Sequence, residues 1–185
     1  MGDDLATGVA TPLGLITPFP DAEGLAFVGN QLYAIGGTTQ KGESPYSGGI
    51  VGTNEEYDPT TGTWSFKTPM PTPRYSFTVA VYQNKIYCIG GSTTNGGPKT
   101  GVNEVYDPAT NKWEIKTPMP TPRDNFGIAI YNDKIYLIGG TTGSDYETGL
   151  PFYTGVNEVY DPTTNTWETK TPMPTAKTGN AFVVG

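Results

Sequence analysis

The chain has 185 residues, a formal net charge of −7, 25 glycines and 17 prolines. The acidic balance argues against a nucleic-acid partner, because binding phosphates requires clustered Lys and Arg. No apolar run reaches the roughly 18 residues of a membrane span, and the N-terminus lacks the basic and apolar parts of a signal peptide. The cytoplasm is therefore favoured. Frequent Gly and Pro with few charges indicate many short strands joined by turns.

Residues 1–24 are predicted to be an N-terminal extension. Within it, PLGLITPFP at 12–20 has the pattern of an outer strand. The stretch NEVYDPATNKWEIKTPMPTPR then stands at 103–123, with copies at 54–74 and 157–177. A Gly pair, a Tyr and a Trp recur in each repeat at matching positions: Gly36, Gly37, Tyr57 and Trp64; Gly90, Gly91, Tyr106 and Trp113; Gly139, Gly140, Tyr160 and Trp167. A regular period of this length predicts a repeat architecture.

Each repeat is predicted to contain four strands, a to d, in chain order. Strand a is an apolar run, and a two-residue turn of Gly, Asn, Asp or Gln joins it to strand b, as expected for a tight hairpin. The Gly pair ends strand b, and a Gly-rich b–c loop precedes strand c, NEVYD. Strand d begins near the Trp and ends in TPMPTPR, where the prolines stop sheet pairing. The predicted a strands are 25–28, 76–82 and 127–131, and the b strands are 31–37, 85–91 and 134–140.

Four strands per repeat and a period near 50 indicate blades of a β-propeller, with a generic β-sandwich with internal similarity as the alternative. The predicted blades are 25–74, 75–123 and 124–177, and 178–185 would begin another. The order IGG, Tyr-Asp-Pro, Trp, PMP and Arg over residues 25–177 resembles the kelch repeat. This resemblance implies an all-β, kelch-type propeller, similar to the propeller of galactose oxidase.

Three blades are fewer than the four to eight of closed propellers. We therefore expect either a homo-oligomer, such as a six-bladed dimer, or part of a longer array. The longer array is favoured, because the 178–185 tail would compete with strand a of a partner.

Binding residues are expected in the b–c and d–a loops, which share one face and carry the length differences between repeats. Tyr146, Phe152 and Tyr153 would anchor a partner or stack on a sugar, unless they cover the blade edge. Arg74, Arg123 and Lys177, one per repeat, would form a ring of cations suited to an acidic ligand. Alternatively, each cation bonds loop carbonyls between blades. Glu55, Glu104 and Glu158 recur in the same way and would be solvated or paired with these cations.

The kelch resemblance implies a scaffold that binds a protein or glycan, and the alternative is a carbohydrate-active enzyme similar to kelch-type sialic-acid mutarotases. The chain has no His, so a copper site like that of galactose oxidase is not available. No metal-binding or phosphate-binding motif stands out, and no cofactor or catalytic residue is predicted. The polar residues that break the repeat near the loops are Lys41, Glu43, Lys99, Asp145 and Glu147. Cys88, in an apolar run, is predicted to be a core residue.

Overall fold

The structure, a computed structural model, describes residues 20–21, 24–39, 49–178 and 182–184. These residues form strands and turns without a helix, and none of their elements is a helix able to cross a membrane. The strands are β1 (Pro20–Asp21), β2 (Gly24–Val28), β3 (Gln31–Ile35), β4 (Thr38–Thr39), β5 (Asn54–Asp58), β6 (Thr63–Phe66), β7 (Thr78–Tyr82), β8 (Lys85–Ile89), β9 (Asn103–Asp107), β10 (Lys112–Lys116), β11 (Gly127–Tyr131), β12 (Lys134–Ile138), β13 (Thr141–Ser144), β14 (Pro151–Tyr153), β15 (Asn157–Asp161), β16 (Thr166–Lys170) and β17 (Phe182–Val184).

Three antiparallel meanders form the body of the described chain. Their strand orders are β2-β3-β5-β6, β7-β8-β9-β10 and β11-β12-β15-β16, and we call them blades 1, 2 and 3. The predicted all-β propeller architecture, with one four-stranded antiparallel sheet per repeat, is confirmed. The third sheet gains a fifth strand, because β17 pairs in parallel with β11.

The a–b turns have the backbone conformation that their residues predict. Gln83 and Asn84 have φ of 49° and 60°, and Asn132 and Asp133 have 48° and 58°. Positive φ at both central residues matches the right-handed twist of a hairpin, and Asn and Asp tolerate it best among residues other than Gly. The turns therefore set the register of the a and b strands.

Strand β2, the a strand of blade 1, is buried on one face only. Its apolar sequence predicts burial on both faces. In β2, Leu25 and Phe27 are exposed, whereas Ala26 between them is buried. Side chains alternate across a strand, and no blade precedes β2 in the described structure to cover its second face.

The recurring Tyr and Trp are opposite each other on strands c and d. Tyr106 of β9 is directly across from Trp113 of β10, with ring centroids 5.1 Å apart. The corresponding distance from Tyr160 to Trp167 is 4.9 Å. Such cross-strand aromatic pairs stabilise a sheet, and they explain why both residues recur at one spacing.

The hydrophobic core lies between adjacent blades rather than inside one blade. One cluster joins blades 1 and 2 through Ile35, Phe77 and Cys88. The second joins blades 2 and 3 through Ile89, Phe126 and Leu137. A single blade is too thin to bury its own faces, so the stability of each blade depends on its neighbour.

Two predictions concern the ends of the chain. The predicted outer strand at 12–20 lies outside the described residues except for Pro20, which pairs through β1 with β4. In the predicted start of a further blade, 178–185, β17 forms a strand that runs parallel to β11.

Candidate functional site

The b–c and d–a loops lie together on one face of the three blades, because both connect the same ends of the strands in a meander. We call this side the loop face, and the side of the a–b and c–d turns the turn face. The loop face includes residues 67–77, 90–102, 116–126 and 139–156. A ligand that binds to this face can contact only those side chains of these loops that are exposed.

Arg74, in the d–a loop after blade 1, extends into blade 2 and is fully buried there. Its Nε and Nη2 donate to the carbonyls of Gly90 and Cys88, at 3.0 and 2.7 Å. Its Nη1 donates to the Thr72 carbonyl and forms an ion pair with Glu104. The Thr72 hydroxyl also donates to this carboxylate, at 2.6 Å. We call this arrangement an inter-blade junction.

The same junction recurs between blades 2 and 3. Arg123 donates to the carbonyls of Gly139 and Leu137, both at 3.0 Å, and pairs with Glu158. Its guanidinium carbon lies 5.3 Å from the centre of the Phe126 ring, a cation–π contact. Desolvation by burial lowers the pKa of Arg123, while Glu158 opposes that shift.

The geometry therefore places two of the predicted ligand-binding cations in structural roles. Arg74 and Arg123 have no exposed surface, and their donors are used by carbonyls and carboxylates of the next blade. Lys177, the third member of the predicted ring, is exposed and forms no ion pair with another described residue. The structure does not assemble these three residues into a cation ring on the loop face.

A different charged pair lies on the loop face. Lys99, from the b–c loop of blade 2, places its Nζ 2.6 Å from Oδ2 of Asp124 in the next d–a loop. The Lys99 ammonium also donates to the Ser92 hydroxyl at 3.2 Å. Asp124 is almost fully buried, and its second carboxylate oxygen, Oδ1, has no hydrogen-bond partner among the described residues. Lys99, one of the polar residues that break the repeat, therefore has a charge partner in the structure.

Asp124 also departs from the repeat. It forms a bridge with Thr141, just as Tyr75 forms one with Ser92 at the preceding junction. The equivalent position is therefore a Tyr, Tyr75, at the first junction and an Asp, Asp124, at the second. Asp124 was not among the predicted site residues, although this Tyr-to-Asp difference is visible in the sequence.

A hairpin projects from blade 3 beside this pair. Within the b–c loop 141–156, β13 and β14 pair as a two-stranded antiparallel sheet. Tyr146 is fully exposed at its turn, and Phe152 and Tyr153 are about half exposed. Leu150 adds a fourth exposed apolar side chain. The three predicted aromatic residues thus lie on one hairpin, and at least half of each side chain is exposed to solvent.

An open cleft of about 410 Å³ lies between the hairpin and the charged pair. It brings together an ammonium, a carboxylate, hydroxyl groups and an aromatic ring. Residues that line it include Lys99, Asp124, Asn125, Thr141, Tyr153 and Thr178. Such a mixture suits a ligand with several hydrogen-bonding groups and one apolar face.

The remaining candidate residues do not join this site. Lys41 and Glu43 lie outside the described residues. Asp145 accepts hydrogen bonds from the backbone amides of Glu147 and Thr148 and so stabilises the hairpin turn. These hydrogen bonds lower the pKa of the Asp145 carboxyl. Within the described ranges, no group of His, Cys, Asp and Glu is arranged to hold a metal ion. Cys88 is fully buried, and desolvation raises the pKa of its thiol to about 12.

Blades of this topology, locked by repeated junctions and carrying variable loops on one face, define a β-propeller repeat module. Residues 23–184 match the family model described as the KLHDC2/KLHL20/DRC7 Kelch-repeats domain. The chain belongs to this kelch-repeat family, and the resemblance predicted from the repeat is confirmed.

Two relatives match part of the chain. The human Kelch repeat and BTB domain-containing protein 12 is 38% identical over 66 residues, 35% of this chain and 11% of the relative. The mouse Influenza virus NS1A-binding protein homolog is 39% identical over 69 residues, 37% of this chain and 10% of the relative. The matched part is thus about a tenth of either relative's length.

The solved structure of YjhT has the same fold. It superposes with a TM-score of 0.71 over 86% of this chain and 54% of the YjhT chain. The sequences are 18% identical, so the likeness concerns the fold.

Proposed function

We propose that the chain is a kelch-repeat binding module that recognises a partner protein through its loop face. The observation that carries this proposal is the hairpin patch: Tyr146, Leu150, Phe152 and Tyr153 are exposed together on one projecting element. The equivalent loop of blade 2, STTNGGPKTGV, has no aromatic residue. Exposed aromatic side chains gathered on a loop are typical anchors of a protein interface, because they bury much area at small entropic cost.

The chemistry of the patch suggests the kind of partner. Asp145 and Glu147 lie beside the aromatic residues, and the whole chain has a net charge of −7. A partner loop with apolar side chains flanked by Lys or Arg would complement this surface.

A displayed library of peptide loops would test this proposal. Binders selected on the wild-type chain are expected to lose affinity for the Tyr146→Ser and Phe152→Ser variants. Phe66→Ser and Tyr131→Ser are matched controls, since both side chains are exposed away from the hairpin. Selected binders that bind the hairpin variants as well as wild type would contradict the proposal, as would binders sensitive only to the control changes.

A second candidate is a carbohydrate-active enzyme acting on an acidic sugar. Its support is the Lys99–Asp124 pair, which is asymmetric in an otherwise repeated structure and lies at the cleft. A lysine would pair with a sugar carboxylate, and hydroxyl groups and Tyr153 would contact the ring. NMR exchange between sugar anomers, measured with wild type and Asp124→Asn, tests it. Exchange that is not faster with wild type than in buffer would exclude the mutarotase reaction.

A further inference from the structure

Each inter-blade junction has two halves, contributed by successive blades. The donor half is a d–a loop with a Thr and, two residues later, an Arg, as in Thr72 and Arg74. The acceptor half is a strand c Glu with two nearby carbonyls of the next blade, as in Glu104. The chain builds both halves at two places, so the geometry of a complete junction is known from its own residues.

Blade 3 carries a donor half that no described blade receives. The amide of Gly140 donates to the Lys177 carbonyl at 2.8 Å. The same contact joins Gly37 to Arg74 at 3.0 Å and Gly91 to Arg123 at 3.1 Å. The backbone of Lys177 is therefore positioned as the two arginines are. Its side chain is exposed, while theirs are buried.

Blade 1 carries the matching acceptor half. Glu55 is opposite Ala34 in the sheet, as Glu104 is opposite Cys88 and Glu158 is opposite Leu137. It is only partly buried, and no described cation forms an ion pair with it. Partial burial raises the pKa of this carboxyl. The sequence holds no Lys or Arg before Lys41, so residues 1–40 offer no counterpart of Arg74 to this carboxylate.

We propose that Lys177 of one copy of this chain pairs with Glu55 of a second copy. Two such head-to-tail junctions, related by a two-fold axis, would join two sets of three blades into a ring of six, which is within the usual range of propellers. Lysine replaces arginine at this position. An ammonium cannot reproduce the fork of bonds that Arg74 makes to carbonyls and carboxylate, so this junction is weaker than the internal ones and the assembly is reversible.

Two strands now occupy the edges that would meet. β1 pairs with β4 at the position where the d–a loop of a preceding blade would form a β-bridge. β17 pairs with the otherwise free edge of β11. Neighbouring a strands also contact each other at the internal junctions, β2 with β7 and β7 with β11. Closure of the ring therefore requires β1 to leave β4 and β17 to leave β11. A chain that ends at residue 178 lacks the second of these obstacles and is expected to assemble more tightly than the full chain.

Reciprocal charge reversal gives a direct test. Sedimentation of the wild-type chain over a concentration series is expected to show a dimer with twice the 19.8 kDa mass of the chain. Glu55→Lys and Lys177→Glu should each raise the dissociation constant by at least about tenfold, because like charges would face each other at both junctions. An equimolar mixture of the two variants should restore the dimer, since both junctions of the mixed pair are then complementary.

The control is the exposed pair Glu168 and Lys170 on β16. Glu168→Lys and Lys170→Glu alter the same charges and should leave assembly unchanged, alone or mixed. Thermal melts establish that every variant is folded. If Glu55→Lys is not folded, Glu55→Gln replaces it for the single-variant comparison, where loss of the charge should again weaken the dimer. A wild-type monomer at all concentrations would overturn the proposal. So would a dimer indifferent to both reversals, or one that the mixture fails to restore.

Discussion

Replacing Glu158 by Ala tests the inter-blade junction through a buried ion pair. Arg123 has no exposed surface, and Glu158 is its charge partner. The substitution leaves the guanidinium bonded to neutral carbonyls of Gly139, Leu137 and Thr121. It also removes the acceptor of the Thr121 hydroxyl. The positive charge then remains in the interior without compensation.

The expected loss is about 3–5 kcal/mol in the free energy of unfolding, as is typical when one partner of a buried ion pair is removed. This is a large part of the 5–15 kcal/mol that stabilises an ordinary domain. Replacing both partners, with Arg123→Met and Glu158→Leu, should not restore wild-type stability. The carbonyls of Gly139 and Leu137 would lose their donor, at a cost of about 1–3 kcal/mol for each buried polar group left unpaired.

Urea unfolding followed by Trp fluorescence measures these differences. Glu168→Ala is the matched control, because its carboxylate is 61% exposed and pairs with Lys170 at the surface. We expect it to change stability by about 0–1 kcal/mol. A loss below about 1 kcal/mol for Glu158→Ala, within the range of a surface pair, would refute the assignment of the junction as a buried ionic contact.

Three further predictions concern the blades. Gly90→Ala should destabilise the chain more than Gly96→Ala, although both glycines have positive φ. A Cβ at Gly90 would lie 2.6 Å from the Arg123 carbonyl oxygen, whereas a Cβ at Gly96 would have no atom within 4 Å. The Gly96 change should cost about 1–2 kcal/mol, and equal losses in urea would contradict the argument. The Cys88 thiol should react with a disulfide reagent only at the rate of unfolding, because it is buried with a pKa of about 12; rapid labelling of the native chain in mildly alkaline buffer would contradict this. The hydrogen bond from Lys85 lowers the pKa of Asp107, so stability linked to this carboxyl is present above its unfolded pKa and is lost as the pH falls through the folded value. Lys85→Met should raise that pKa in an NMR titration of the carboxyl carbon, and an unchanged pKa would show that the ion pair is absent in solution.

The sequence predicted those parts of the fold that depend on local backbone conformation and periodic packing. Gly90 and Gly91 recur because the chain adopts φ of 74° and 95° there. Tyr106 and Trp113 recur because they are partners across two strands. Both requirements act within one blade and repeat in the next, so a periodic sequence records them directly.

The site was harder to predict, because it depends on contacts between blades. One cation per repeat, Arg74, Arg123 and Lys177, is compatible both with a ring of exposed cations and with a buried junction, and sequence spacing does not distinguish them. The glutamates with the same period, such as Glu104, were the signal that favoured the junction. Asp124 was missed for the opposite reason: it interrupts the repeat, and its partner Lys99 comes from a different loop.

The division of each junction between two blades has a consequence for how such chains lengthen in evolution. A blade brings an acceptor Glu on one side and a donor Arg on the other, together with the glycine that admits the neighbouring carbonyl. Duplication of the 49-residue segment from Tyr57 to Val105 would therefore add a blade that fits both neighbours at once, without any new contact being selected. The loops on one face could then diverge copy by copy, because the residues that join the blades are not those of the proposed binding patch.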